Sequence, residues 1–202
     1  MRYSGTNRPI RRFLSIKQMR QLLDAIPLDS PFGRRDYLLI MLLYHTGLRV
    51  GEVSKLTVSQ VLTKRGQVRE FLDLPAILCK GPRGRIVPLN TTAQACVSKL
   101  IKFNRSRGFS VGPDAPLFQN RFHRPLSVRS MQLLIKHYRE EADLDIKATP
   151  HTLRHTNATV LQNAGVPTRV IQNGLGHRHL STTERYLGVQ AVDFRSYYER
   201  IG

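Results

Sequence analysis

The chain has 202 residues, with 32 Lys and Arg against 14 Asp and Glu, a formal net charge of +18 and a hydrophobic fraction of 41%. That length and apolar content support one well-buried domain and exclude wholesale disorder, while the charge calls for an extended anionic partner, nucleic acid ahead of a membrane. The longest strongly apolar run, Tyr37 to Tyr44, is far too short to span a bilayer, the polar, basic N-terminus shows no secretory leader, and Cys79 and Cys96 make no disulfide framework, so a cytoplasmic setting is expected.

Residues 1–12 carry Arg2, Arg8, Arg11 and Arg12 among Gly5, Asn7 and Pro9. They read as a flexible basic arm in which Arg11 and Arg12 can track phosphates. Ser15 then caps an amphipathic helix through Ile16, Met19, Leu22, Leu23 and Ile26, stopped by Pro27. Asp36 to Thr46 is apolar nearly all round, which predicts a helix at the centre of the domain, ended by Gly47. Immediately after it, Leu48-Arg49-Val50-Gly51-Glu52 sets a charge beside the most buried helix. Arg49 and Glu52 either form a purely structural ion pair, or Glu52 orients an arginine whose planar fork grips a phosphate.

Between Val58 and Leu89 the pattern shifts to short segments, Gln67 to Leu74, Ala76 to Lys80 and Arg85 to Leu89, which predict a small antiparallel sheet with residues 81–84 turning a hairpin. Lys80 stands at the lip of that turn with Arg83 and Arg85 across it. A solvated lysine is the bland explanation, and a mobile hairpin placing an amine and two arginines in a groove is the other. Thr91 to Arg107 is a predicted helix, Leu117-Phe118 a short buried stretch, and Ser127 the cap of a helix carrying Met131, Leu134, Ile135 and Tyr138 on one side. The architecture is thus mainly α (α+β), a helical domain with a small antiparallel sheet. A basic arm (1–12) precedes the main domain (13–188), and a tail helix (189–202) with Phe194, Tyr197, Tyr198 and Ile201 follows. That tail either folds back or docks on a neighbouring molecule.

The stretch Thr149 to Tyr186 holds more histidine, arginine and tyrosine than folding requires. Thr149 and Pro150 start a helix on which His151 and Arg154, three apart, share a face; Gly165 closes it, Pro167 opens another, and Leu-Gly-His leads to Ser181-Thr182-Thr183-Glu184 and Tyr186. Cutting a phosphodiester without metal needs a nucleophile, cations on the non-bridging oxygens and an acid for the departing oxygen. Tyr186 supplies a phenol that can be displaced again, Arg49 and Arg154 two permanently charged forks, His151 and His177 hydrogen-bond donors or proton carriers, and Lys80 a proton for the 5′ oxygen.

The order Arg49, Lys80, His151-x-x-Arg154, Leu175-Gly176-His177 and Tyr186, set in HTGLRVGEV, CKGPRGRIVPL, TPHTLRHTNAT and GLGHRHLSTTERY, resembles the catalytic domain of the tyrosine recombinases, also called the phage integrase family. The resemblance implies a site-specific recombinase that forms a 3′-phosphotyrosine intermediate and exchanges strands through a Holliday junction. It makes Tyr186 the nucleophile, Arg49, Arg154, His151 and His177 the phosphate ligands, Lys80 the general acid and Glu52 a supporting residue. It further implies double-stranded DNA as partner, self-association into a tetramer in the synapse and no cofactor. Most relatives carry a helical core-binding domain ahead of this one. The chain is therefore expected to be a fragment or, as Met1 favours, a minimal recombinase similar to the short invertases of fimbrial promoters. Gly174 and Asn157 replace bulkier or apolar residues of the pattern, so looser packing near His177 is expected.

Three rivals are weaker. A zinc hydrolase would use His151 and His155, with His177 and His179 nearby, but Thr152 stands where the motif needs glutamate and Arg154 brings positive charge, so no metal is expected. A non-catalytic helix-turn-helix around Gly165 explains the charge but not Arg49, Lys80 and Tyr186 together. A type IB topoisomerase would share the chemistry and differ in products.

Overall fold

The computed structural model describes residues 13–79 and 84–176. Helix α1 (Ile16–Asp24) begins where the Ser15 hydroxyl accepts from Gln18 N and the Gln18 side chain accepts from Ser15 N, so each satisfies a backbone donor of the other. Helix α2 (Gly33–Thr46) starts earlier than the expected Asp36, because Ser30 Oγ accepts from Gly33 N at 3.0 Å and Arg35 turns inward on Asp36, hiding the first turn from a hydrophobic pattern. It ends at Gly47, whose φ of +61° is the left-handed geometry that favours glycine.

Two one-turn helices follow, α3 (Val50–Val53) and α4 (Val58–Val61), both too short to show a period in sequence. Strands β1 (Phe71–Leu74) and β2 (Arg85–Pro88) pair antiparallel with Leu72 opposite Val87 and Leu74 opposite Arg85. The expected strand from Ala76 to Lys80 is absent among the described residues. Ala76–Leu78 is a 3-10 turn, started by Pro75, whose carbonyl accepts from Leu78 N at 2.9 Å, so the backbone curls instead of joining the ladder. Helices α5 (Thr91–Ser106, capped by Asn90), α6 (Val128–Glu141, capped by Ser127), α7 (Pro150–Asn163, capped by Thr149) and α8 (Thr168–Leu175) complete the order. The mainly helical fold with a small antiparallel sheet is as the sequence reads.

Helix α2 occupies the centre, packed against α5 and α7, and its Leu39, Ile40 and Leu43 are fully buried. A buried polar knot fixes its first turn: Arg35 Nε and Nη2 donate to Asp36 Oδ1 at 2.8 and 2.6 Å, Arg35 Nη1 donates to the Gln119 carbonyl, and the Tyr138 hydroxyl donates to Asp36 Oδ2 at 3.0 Å. A second, small cluster of Leu161, Val166, Ile171 and Leu175 joins α7 to α8 across Gly165, whose φ is +82°. Helix α8 also lies against β2. No helix among the described residues is long and apolar enough to cross a membrane.

Candidate active site

The site is built on helix ends. A helix leaves its last carbonyls without partners, and those oxygens carry partial negative charge. Helix α2 ends at Gly47 and α8 ends at Gly176, both left-handed, at φ +61° and +66°. The two ends interlock closely: a Cβ on Gly47 would lie 2.6 Å from Leu175 Cδ2, and a Cβ on Gly176 would lie 3.0 Å from Arg85 Cδ. No larger residue fits either place without displacement.

Three arginines from distant parts of the chain take three consecutive carbonyls at the end of α8. Arg85 Nε donates to Gly174 O at 3.0 Å, Arg154 Nη2 donates to Leu175 O, and Arg49 Nη2 donates to Gly176 O at 2.9 Å. Arg154 Nη1 also donates to Gly47 O at 2.6 Å, tying the end of α2 to the same guanidinium. Sequence reasoning named Arg49 and Arg154 as partners on one phosphate, and the structure brings them to adjacent carbonyls. Arg154 is buried, whereas the Arg49 side chain keeps 31% of its surface exposed.

Glu52 is the hub beneath them. Its carboxylate accepts from Arg49 N at 2.7 Å and Arg49 Nη1 at 3.1 Å, and is gripped by both Nη atoms of Arg85 at 2.7 Å each. Burial alone would push this carboxyl up. The Arg85 fork, by hydrogen bond and charge, and then Arg49 outweigh burial and hold Glu52 below the ordinary carboxylate range. Burial likewise opposes the charge on Arg85, and Glu52 more than restores it. The ion pair between Arg49 and Glu52 is present, with the other Arg49 terminal nitrogen on the Gly176 carbonyl.

Arg85 sits otherwise than the sequence reading has it. Expected on a DNA-facing hairpin, its side chain is only 10% exposed and is committed to Glu52, the Gly174 carbonyl and Cys79 Sγ. The signal for this was present in the strand period: Arg85 and Val87 share a face of β2, and Val87 is fully buried, so Arg85 points inward as well.

His151 occupies the first turn of α7, one turn before Arg154, and is exposed. Its Nε2 lies 2.9 Å from Nε2 of His155, which sequence reasoning weighed only as a zinc ligand. Asn157, on the same helix, is fully buried against Gly47, and neither atom of its amide finds a hydrogen bond. Lys80, Arg83, His177, His179, Tyr186, Arg11, Arg12 and the expected tail helix lie outside the described residues. Among the described residues, no group of three or more His, Cys, Asp or Glu is arranged to hold a metal ion.

The pattern of the phage integrase family matches residues 12–192. The chain belongs to the phage integrase family. It is 37% identical over 185 residues to the tyrosine recombinase XerD of Corynebacterium glutamicum, an alignment covering 90% of this chain and 58% of that protein. Among solved structures, XerA recombinase aligns with a TM-score of 0.67 at 24% identity, covering 93% of this chain and 59% of that one. XerH site-specific recombinase bound to its difH substrate aligns with a TM-score of 0.64 at 18% identity, covering 95% and 51%. The chain therefore spans less than two thirds of the length of these integrase-family relatives, and the structural likenesses establish a shared fold.

Proposed function

We propose that the chain is a site-specific DNA recombinase that cuts and rejoins one strand at a time through a 3′-phosphotyrosine on Tyr186. The observation that carries this reading is the convergence of Arg49 and Arg154 on adjacent carbonyls beside a buried, ionised Glu52. Two guanidinium forks held at one place match the charge that builds on the non-bridging oxygens of a phosphodiester under attack. His151 lies one turn from Arg154 and adds a hydrogen bond to the same phosphate, while Lys80 protonates the departing 5′ oxygen and His177, following Gly176 directly, completes the set. Because the tyrosyl link conserves the bond, a free 5′-hydroxyl on a partner duplex displaces it and no cofactor is consumed.

Double-stranded DNA is the partner in this reading, as XerH is solved on its difH substrate and this chain carries a net charge of +18. Arg83 and the arm arginines Arg11 and Arg12 contact phosphates, and the protein assembles as a tetramer on paired sites through the tail beyond residue 188. Affinity for duplex falls steeply with salt as counterions are released.

The direct test uses a nicked duplex that loses its 5′ end after cleavage, so that the covalent complex accumulates on a denaturing gel. Tyr186→Phe abolishes the trapped band and leaves duplex affinity nearly unchanged. A band that persists in Tyr186→Phe and disappears in Tyr197→Phe or Tyr198→Phe overturns the assignment.

A further inference from the structure

His151 and His155 carry a feature that phosphate binding does not need. One helical turn apart on α7, they bring Nε2 to within 2.9 Å of Nε2, with the rings nearly perpendicular at 80°. As a hydrogen bond, this contact requires one ring to donate and the other to accept a single shared proton. A metal ion can replace that proton, because both lone pairs then point to one centre. With metal–nitrogen bonds of about 2.05 Å, two ligand nitrogens stand about 2.9 Å apart at a right angle and about 3.3 Å apart at the tetrahedral angle. The observed separation fits the right angle, the geometry of square-planar or tetragonal copper(II) and nickel(II), better than tetrahedral zinc.

We propose that His151 and His155 form a chelate for a divalent ion of tetragonal preference, nickel(II) or copper(II), and that the bound ion withdraws His151 from the DNA phosphate. The second half of this proposal rests on the recombinase reading; the chelate itself does not. The surroundings suit such an ion. His151 is exposed and His155 half-buried, so water can fill the remaining coordination positions. Arg154, the nearest fixed cation in sequence, is buried with its guanidinium donating to the carbonyls of Gly47 and Leu175. Among the described residues no third ligand joins the pair. While it is bound, the His151 Nε2 lone pair is spent on the metal and that nitrogen carries no proton to offer a phosphate oxygen.

The test titrates the untagged full-length chain with nickel(II) chloride in a calorimeter, nickel being chosen because copper would oxidise thiols such as the half-buried Cys79. Wild type and His137→Ala, a control on exposed α6 histidine, are expected to bind one ion with equal affinity. In His155→Ala that affinity drops about a hundredfold, since the second ligand of a chelate binds intramolecularly. His155→Gln, which keeps a polar group of similar reach, loses the site equally and guards against misfolding of the alanine variant. Equal nickel affinity in wild type and in folded His155→Gln overturns the chelate. On the nicked duplex, nickel is expected to slow covalent-complex formation by wild type and not by His155→Gln; equal slowing of both overturns the inhibitory role. If wild type forms no covalent complex even without nickel, the recombinase reading has failed, and the calorimetry alone still decides the chelate.

Discussion

The α2-centred core and the α8 unit are held by different forces. Around α2 the contacts are apolar and extensive, with Leu39, Ile40, Leu43, Val97 and Leu153 all fully buried, and hydrophobic burial fixes position without direction. Helix α8 is joined to α7 by a cluster of four buried apolar residues, its own Ile171 and Leu175 with Leu161 and Val166, and its end is set by three arginine-to-carbonyl bonds and the Glu52 hub. The core makes the domain stable. The polar clamp fixes the end of α8 at Gly176 by directional bonds.

That contrast can be broken first at Glu52, where both regions meet. Glu52→Gln leaves the buried Arg85 without its counter-charge, and removal of one partner of a buried pair costs about 3–5 kcal/mol. Denaturant unfolding should show that loss together with a fall in strand cleavage larger than the unfolded fraction explains. Leu39→Ala, in the apolar core, should cost about 2–5 kcal/mol while cleavage per folded molecule stays unchanged. If Leu39→Ala lowers cleavage as Glu52→Gln does, the two regions are not separable.

Acid sharpens the comparison from the core side. His45 is buried, its Nδ1 3.3 Å from Asn90 Nδ2, and burial lowers its pKa from 6.5 to about 4. The unfolded chain therefore binds this proton more readily than the folded one. Stability is fully present above the unfolded value of 6.5 and is lost as pH falls toward about 4, on the order of 3 kcal/mol in total. Glu52, with its depressed pKa, adds loss only below the ordinary carboxylate range of 4.5. Urea midpoints between pH 7 and 5 should therefore decline in wild type, and His45→Gln should flatten the decline.

Smaller effects probe α8 alone. Ile171→Val should cost about 1 kcal/mol, read as faster hydrogen exchange of α8 amides with almost no change in the global midpoint. Lys136→Ala removes an exposed pair to Glu140 at 3.7 Å and should change stability by less than about 1 kcal/mol.

Much of this was legible in the sequence. Ser15, Thr149 with Pro150, and Gly47 announce helix ends through fixed local chemistry, and the apolar run of α2 announces the centre. The nearness of Arg49 and Arg154 was legible because residue types that suit a phosphate recur in a known order. The 3-10 turn at Ala76–Leu78 was not, since alternating side chains describe a strand only if the backbone finds a partner. Nor was the clamp, because its acceptors are backbone carbonyls, which no side-chain pattern advertises. The looser packing expected near His177 concerns a residue outside the described ones; at Gly174 and Asn157 themselves both residues are buried, Gly174 lending its carbonyl to Arg85 and Asn157 lying against Gly47 with its amide unsatisfied.

The most direct measurement is a structure of the full chain on duplex DNA trapped at the tyrosyl intermediate. The account predicts that Arg49 and Arg154 both donate to the oxygens of one phosphate esterified to Tyr186, with Glu52 still gripped by Arg85 behind them. A phosphate bound elsewhere, with the two arginines contacting no common phosphate oxygen, would contradict it.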